Sequence, residues 1–384
     1  MINIFQPVVP AESLDMVAGV FKSNWLGRGK LVADFENRFS DFLEVDREEI
    51  VTMSCCSDAI FGILPILRKR SDRKKVLVPS ISFPAVGSAV VEAGLDLVII
   101  DVESNTGNVS LDSVRKHVAE DVLAIFITHY GGNPVDVLAL KEILGPDVFI
   151  LEDSACALGS VLDGGEALGT HGDFSCWSFD AMKLLVAGEG GGAWIPSDDI
   201  RTEFKESLYL GLPASEKSGL DKACNSTEWW SYDLKCFGRR SVFTDINAAI
   251  ALPQFSLLED KLARRSWIRK QYIISLESND NIDFVKQSGC ETYSNYFFTL
   301  LCDSRNHLAF DLKDKGVYTT FRYHPLHKIN LFTTNATIGD MHGSELFSEK
   351  ALNIPIHDGL SDIDVNFICA CLVNYDPNIL KRNN

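Results

Sequence analysis

Short apolar runs punctuate the first half of this chain, separated by stretches in which apolar residues recur at helical spacing. The runs Val76–Val78, Leu97–Val102, Val122–Thr128, Val148–Leu151 and Ala193–Ile195 are nearly unbroken, with Asp101 the one charge among them, and too short for helices. Such runs between helical stretches predict buried strands, and hence an α/β domain built on a large mixed, mainly parallel sheet. Residues 197–240 are polar and irregular, interrupted by Trp229-Trp230. A helix is predicted from Asp245, through Ala248, Ala249 and Ile250, to about Leu276, with a kink at Pro253. This helix is expected to link two domains: 1–255, the large one, and 256–384, a smaller C-terminal α/β domain. The latter mixes a strand at Tyr296–Leu301 with helices, and Ser361 is placed to cap the last of them. A chain of 384 residues has room for two such cores.

The strand at Val148–Leu151 runs into Glu152 and Asp153, and ligands of open α/β sheets sit beyond the carboxyl ends of strands. Further on, Lys183 stands beside the apolar run Leu184–Ala187, with Ser178 five residues before it and Gly188-Glu189-Gly190-Gly191-Gly192 after it. A lysine in apolar surroundings is expected to have a depressed pKa and to form a Schiff base with a carbonyl. Pyridoxal 5'-phosphate (PLP) needs a lysine for its aldehyde and an acid for its pyridine nitrogen. Lys183 and Asp153 suit those roles. The plainer readings are a surface lysine beside a loop and a helix N-cap after a strand.

Composition removes other classes of function. With 36 basic and 53 acidic side chains, the net charge of −17 argues against a nucleic-acid-binding surface. The basic cluster Arg68–Lys75 reads as a solvated turn. The ten cysteines include no Cys-x-x-Cys pair, so no metal is expected. Neither a signal-peptide pattern nor an apolar run of transmembrane length is present, so a cytoplasmic protein with reduced cysteines and no membrane partner is expected. Gly-x-Ser-x-Gly, His-Glu-x-x-His and Gly-x-x-x-x-Gly-Lys-Ser/Thr are absent. The glycine run at 188–192 does not match a dinucleotide fingerprint.

The segments Glu152-Asp-Ser-Ala-Cys-Ala-Leu-Gly159, Gly169-Thr-His-Gly-Asp-Phe-Ser-Cys-Trp-Ser178-Phe-Asp-Ala-Met-Lys183 and Gly188-Glu-Gly-Gly resemble the DegT/StrS family of PLP-dependent sugar aminotransferases. Similar matches occur in order at Trp25–Gly29 with Phe35-Glu36, Cys56–Ile60, Val78–Ala85, His129–Asp136, Gly238–Ala249 and Arg322–His327. The resemblance implies a fold-type I aminotransferase in which Lys183 and Asp153 are catalytic. It also implies that backbone N–H groups of Cys56 and Ser57, with the Ser57 and Ser178 hydroxyls, hold the cofactor phosphate. Phe83 matches an aromatic that lies over the cofactor ring. Cys156 stands where relatives carry a glutamine that meets the ring's phenolic oxygen, and a thiol is a poor donor there. Cys56 replaces a glycine, and its β-carbon would narrow the phosphate approach. Asp180 replaces a residue that is often histidine and, if close, would raise the lysine's pKa. Arg240, with Arg239 as competitor, falls where relatives reach the phosphate of the neighbouring subunit, which implies a homodimer with shared active sites.

His129, Tyr130, His324 and His327 are the candidate substrate-side residues. The implied reaction transfers an amino group, from L-glutamate, to a keto sugar, a nucleotide-linked 4-keto-6-deoxy or 3-keto hexose. Loops around 20–30, 205–235 and 318–332, where the chain departs from common patterns, would choose the sugar. Two other readings are a sugar 3-dehydratase of the same fold, which Lys183 opposes because those relatives carry histidine there, and a non-catalytic scaffold protein.

Overall fold

A computed structural model describes residues 1–213, 228 and 230–378. The strands, in chain order, are β1 (Ile50–Met53), β2 (Lys75–Pro79), β3 (Asp96–Ile100), β4 (Val122–Thr128), β5 (Phe149–Asp153), β6 (Val161–Leu162), β7 (Phe174–Ser178), β8 (Gly191–Trp194), β9 (Asp283–Phe284), β10 (Cys290–Thr292), β11 (Phe298–Leu301), β12 (Ala336–Ile338) and β13 (Ala351–Ile354). Eight of them form one sheet in the order β1-β8-β7-β5-β4-β2-β3-β12. Only β8 runs antiparallel to its neighbours, so the sheet is mixed and mainly parallel, as expected.

The continuous apolar runs conceal a two-fold alternation. Val76 and Val78 of β2 and Leu97 and Ile99 of β3 face one core, with Ile63 and Leu67 of α3 (Cys56–Arg68) and Val86 and Val90 of α4 (Pro84–Glu92). Leu77, Val98 and Ile100 face the opposite core, against Val114 and Leu140 on the helices Leu111–His117 and Val137–Leu144. Both faces are covered, so both sets of positions are apolar. Each such residue buried contributes roughly 1.5–3 kcal/mol.

A third core gathers Phe35, Phe39, Trp177, Phe179 and Phe243 around the end of the sheet near β1. Phe35 and Phe39 come from α2 (Lys30–Leu43), and Glu36 lies on the same buried face. Its carboxylate has no exposed surface and accepts hydrogen bonds from Arg28, Arg47 and Thr52, which fixes the entry segment to β1.

The helix expected from Asp245 to Leu276 is interrupted at Pro253. Asp245–Ala251 is α-helical, Leu252–Leu257 is a 3-10 turn, and Leu258–Leu276 resumes the α-helix. The later helix packs with β11, β13 and the helix Asp362–Val373 around Ile268, Tyr272, Phe298, Leu300, Ile354 and Ile368. Ser361 caps that last helix through a reciprocal box with Asp364, as its sequence predicts.

The C-terminal part does not stay apart from the large sheet. Strand β12 pairs in parallel with β3, and Leu326, Phe332 and Met341 enter the first core. The Leu326 amide donates to the Ser80 carbonyl (2.8 Å), so the loop before β12 is held at the carboxyl edge of β2. Within the loop expected around 205–235, residues 214–227 and Trp229 lie outside the described residues.

Candidate active site

The carboxyl ends of β5 and β7 and the N-terminus of α3 converge on one cleft. Asp153 is the last residue of β5, and its register partner on β7 is Cys176. Ser178 closes β7, and the chain then turns so that the Lys183 amide donates to the Asp180 carbonyl (3.0 Å). This turn brings Lys183 back beneath the strand ends, with Leu184, Leu185 and Val186 buried behind it.

The Lys183 amine lies 3.9 Å from Cys156 Sγ and 4.6 Å from the centre of the Tyr296 ring. Burial pulls its pKa down, but the Cys156, Tyr296, Asp153 and Cys56 groups outweigh burial and the net shift is upward. The sequence-based expectation of a depressed lysine is therefore corrected. The apolar residues lie on the far side of the turn, while the amine faces groups able to carry negative charge. Asp180 is not among these, because its carboxylate accepts from the Met182 amide (2.9 Å) and closes the turn.

Asp153 is buried, and the one hydrogen bond its carboxylate makes among the described residues comes from the Ala155 amide (3.1 Å). Burial pushes its pKa up, against the opposing pull of that amide, Lys183 and His129. A buried acid so weakly satisfied suits a protonated ring nitrogen as partner.

At the other wall, α3 begins at Cys56 behind an extended Cys55, so the first amides of a helix 13 residues long point into the cleft. Cys56 has ordinary helical backbone, and its side chain packs toward the first core beside Cys176, so its β-carbon does not distort the turn. The narrow point is Gly191 on β8. A β-carbon there would lie 2.6 Å from the Cys55 carbonyl carbon and the Cys56 nitrogen. Ser57 is half-buried at the same turn. Ser178 Oγ accepts from the Asp180 amide (3.3 Å), which leaves its hydroxyl proton free to donate. The donors and the glycine-lined wall fit a phosphate.

Phe83 keeps 44% of its surface exposed, with its ring edge-on to Tyr323 at 5.7 Å, so an aromatic face remains open above the cleft. Cys156 is buried, 3.8 Å from the Tyr323 hydroxyl, and burial pushes its thiol pKa up. Arg239 and Arg240 separate cleanly. Arg239 pairs with Asp58 of α3 (3.1 Å), whereas Arg240 is exposed and stacks on Tyr209 at 5.0 Å.

Three of the four candidate substrate-side residues have their polar side-chain atoms engaged within the protein. His129 has no exposed surface; its Nδ1 accepts from the Val135 amide (3.1 Å), so Nε2 carries the proton and donates to Glu152 (2.8 Å). Tyr130 is buried and donates to the Arg322 carbonyl. His327 lies between Ser80 Oγ (2.6 Å) and Glu345 (3.0 Å) and secures the loop before β12. These residues shape the site from behind. His324 is exposed on that loop.

Glu152, Tyr296, Tyr323 and Arg322 belong to the site although their sequence gave them no role. Tyr296 and Glu152 sit in or beside apolar runs that read as plain strands. The contacts that bring Tyr323 to Cys156 and Arg322 to Met182 span more than 130 positions.

Glu152 accepts from His129 and from the amides of His171 (2.8 Å) and Gly172 (2.6 Å). Burial acts to raise its pKa, but His129 and these amides prevail and hold it below the ordinary value of 4.5. A depressed acid adds stability that is fully present above its unfolded pKa and is lost as pH falls through the folded one. Wild type should therefore lose stability as pH drops below 4.5, more steeply than Glu152→Gln. At neutral pH that variant should be about 2 kcal/mol less stable, because one buried donor is left without its acceptor. Urea unfolding across this pH range measures both effects; parallel acid limbs would refute the assignment.

The family model described as the DegT/DnrJ/EryC1/StrS aminotransferase family matches residues 8–373. The chain belongs to this aminotransferase family. Among its relatives is the dTDP-4-dehydro-2,3,6-trideoxy-D-glucose 4-aminotransferase of Saccharopolyspora spinosa, 32% identical over 372 residues, which span 96% of this chain and 95% of that protein. The aminotransferase TlmJ from Streptoalloteichus hindustanus is 35% identical and superposes with a TM-score of 0.87, covering 97% of this chain and 98% of that one. Spr1654 from Streptococcus pneumoniae, solved in a PLP form, has the same fold at 22% identity and a TM-score of 0.85, with 97% of each chain covered. The fold is thus that of the sugar aminotransferases of this DegT/DnrJ/EryC1/StrS group, fold-type I. Among the described residues no cluster of metal-ligating side chains occurs, and no helix is long and apolar enough to cross a membrane.

Proposed function

We propose that this member of the family uses PLP to transfer the amino group of L-glutamate to a nucleotide-linked keto sugar, a 4-keto-6-deoxy or 3-keto hexose. One observation carries the reading: the buried Asp153 carboxylate ends β5, and the Lys183 amine lies 3.9 Å from the thiol of Cys156, three residues beyond it. The Saccharopolyspora relative is named for a dTDP-linked 4-keto sugar, and a Vibrio cholerae relative, 24% identical, is a GDP-perosamine synthase. Both names support a nucleotide-linked sugar as acceptor.

When bound, the cofactor supplies an aldehyde and an electron-withdrawing ring that eases loss of a proton from the donor's Cα. Asp153 would hold the protonated ring nitrogen. The Cys56 and Ser57 amides and the Ser57 and Ser178 hydroxyls would hold the phosphate, with Phe83 over the ring and Cys156 beside it. Arg240 would reach the phosphate of a second copy's site in a homodimer, which accords with its exposure and lack of an acidic partner among the described residues.

Lys183 then moves the Cα proton as base and acid. To act as base it must first become neutral. Pairing Asp153 with a cationic ring nitrogen cancels the full negative charge that acts on Lys183, which lowers its pKa toward that need.

The absorption spectrum of the PLP-loaded protein tests the proposal. A visible band that bleaches with L-glutamate and returns with the correct keto sugar is the expected result. A band that no amino acid bleaches would refute it.

A further inference from the structure

Two buried cations stand behind the Lys183 turn and share one acid. Lys261 and Arg265 lie one turn apart on the helix Leu258–Leu276, and both are buried. Asp358, on the loop after β13, lies 3.2 Å from Arg265 Nη2 and 4.0 Å from Lys261 Nζ. Among the described residues no other acid pairs with either cation. Burying charge is unfavourable unless it is paired and hydrogen-bonded, so two cations on one carboxylate call for a reason.

Each cation directs a further donor at backbone beside the reacting amine. Lys261 Nζ donates to the carbonyl of Leu184, the residue after Lys183, and to Gln254 Oε1 (3.1 Å each). Gln254 is buried too; it accepts from the Val186 amide (3.3 Å) and donates to the Val186 carbonyl (2.7 Å). Residues 183–187 form neither helix nor strand, so these side chains do for Leu184 and Val186 what a ladder does elsewhere. Arg265 Nη1 donates to the carbonyl of Asn295 (3.5 Å), whose backbone is left-handed (φ 46°) just before Tyr296. The Tyr296 ring lies 4.6 Å from the Lys183 amine. Asp358 thus reaches both sides of that contact, through Leu184 on one route and Asn295 on the other.

We propose that Asp358 is a positioning residue for Lys183: through Lys261 and Arg265 it fixes the turn that carries the amine and the ring that the amine faces. The inference rests on the aminotransferase reading above. Asp358 draws two like charges onto one carboxylate, and without it they repel. Burial pulls the Lys261 pKa down, Asp358 opposes that, and Arg265 adds to the fall. A shift of either cation moves Leu184 or Asn295, and with them the amine or the ring.

PLP-loaded wild type, Asp358→Asn, Lys261→Met and the double variant are compared. The saturating rate at which L-glutamate bleaches the visible band should fall on the order of 10-fold in each single variant, within what a misplacement of about 1 Å can cost. The half-saturating glutamate concentration should stay within about 2-fold. The double variant should be within about 2-fold of the slower single one, because both changes break one network. The pH at which the visible band titrates should fall by about half a unit, since the Tyr296 ring supports positive charge on the Lys183 nitrogen and the ring and nitrogen would separate. Cys156, Asp153 and Cys56, the other groups acting on that nitrogen, are unchanged in these variants. Melting of the cofactor-free proteins is followed alongside.

A lower melting temperature with unchanged rate and band titration would make Asp358 a packing residue and overturn the inference. So would losses that multiply in the double variant, which would mean separate actions. Should Asp358→Asn fail to fold, an unchanged Lys261→Met overturns it by the same readouts. If wild type bleaches with no amino acid, the aminotransferase proposal itself fails, while the titration of the band still judges Asp358.

Discussion

Replacing Lys183 by alanine is expected to lower transamination by more than about 10⁴-fold, since nucleophile and proton carrier are lost together. The visible band of the PLP-loaded protein should disappear with it, because the aldehyde loses the amine proposed to hold it. Stability should change little. Among the described residues Lys183 makes no salt bridge, and its amine lies 3.9 Å from the Cys156 thiol and 4.6 Å from the centre of the Tyr296 ring. Turnover by a variant with wild-type thermal stability, followed with the keto acid product, measures the effect. Activity within about 10-fold of wild type would remove Lys183 from the chemistry.

Asp153→Asn should separate stability from activity. The folded protein disfavours the charged carboxyl, because burial raises its pKa and, among the described residues, one amide is its only hydrogen-bond donor. A raised acid is a net cost above its folded pKa, and that cost vanishes when a neutral amide takes its place. The cofactor-free variant should thus be at least as stable as wild type at neutral pH. Its turnover should fall on the order of 10²–10³-fold, the scale of losing one preorganised charge at a reacting centre. Melting of the cofactor-free proteins and turnover of the loaded ones measure the pair of effects. A destabilised variant with unimpaired turnover would show that Asp153 is structural.

What the sequence revealed, and what it hid, follows from the range of the interactions. Strands β2 to β5 were legible because both faces are covered, which leaves unbroken apolar runs. Strands β1, β7 and β12 were not singled out. Phe174–Ser178 carries two serines whose hydroxyls turn inward to Ser154 and to the Glu152 carbonyl and the loop after β7. Ala336–Ile338 owes its pairing to β3, which precedes it by more than 230 positions. Lys183 and Asp153 were legible because local pattern and strand-end logic agree.

The sign of the lysine's shift was not legible, since the amine's neighbours come from Cys156 and Tyr296. His129 and Tyr130 read as substrate-side candidates, since nothing local in the sequence shows what their side chains meet. Only the structure shows Glu152 and Asn353 enclosing them.

The return of β12 to the large sheet bears on how the chain can be divided. Its three residues cover Leu97, Val98 and Ile99. A fragment ending near residue 255 would lack that cover and leave β3, apolar from Leu97 to Ile100, as an open edge, a template for pairing with other chains. The C-terminal third thus serves as a guard against aggregation. Half-made chains on the ribosome would carry the bare edge until more than 80 further residues had emerged, and that interval is when chaperones would matter most.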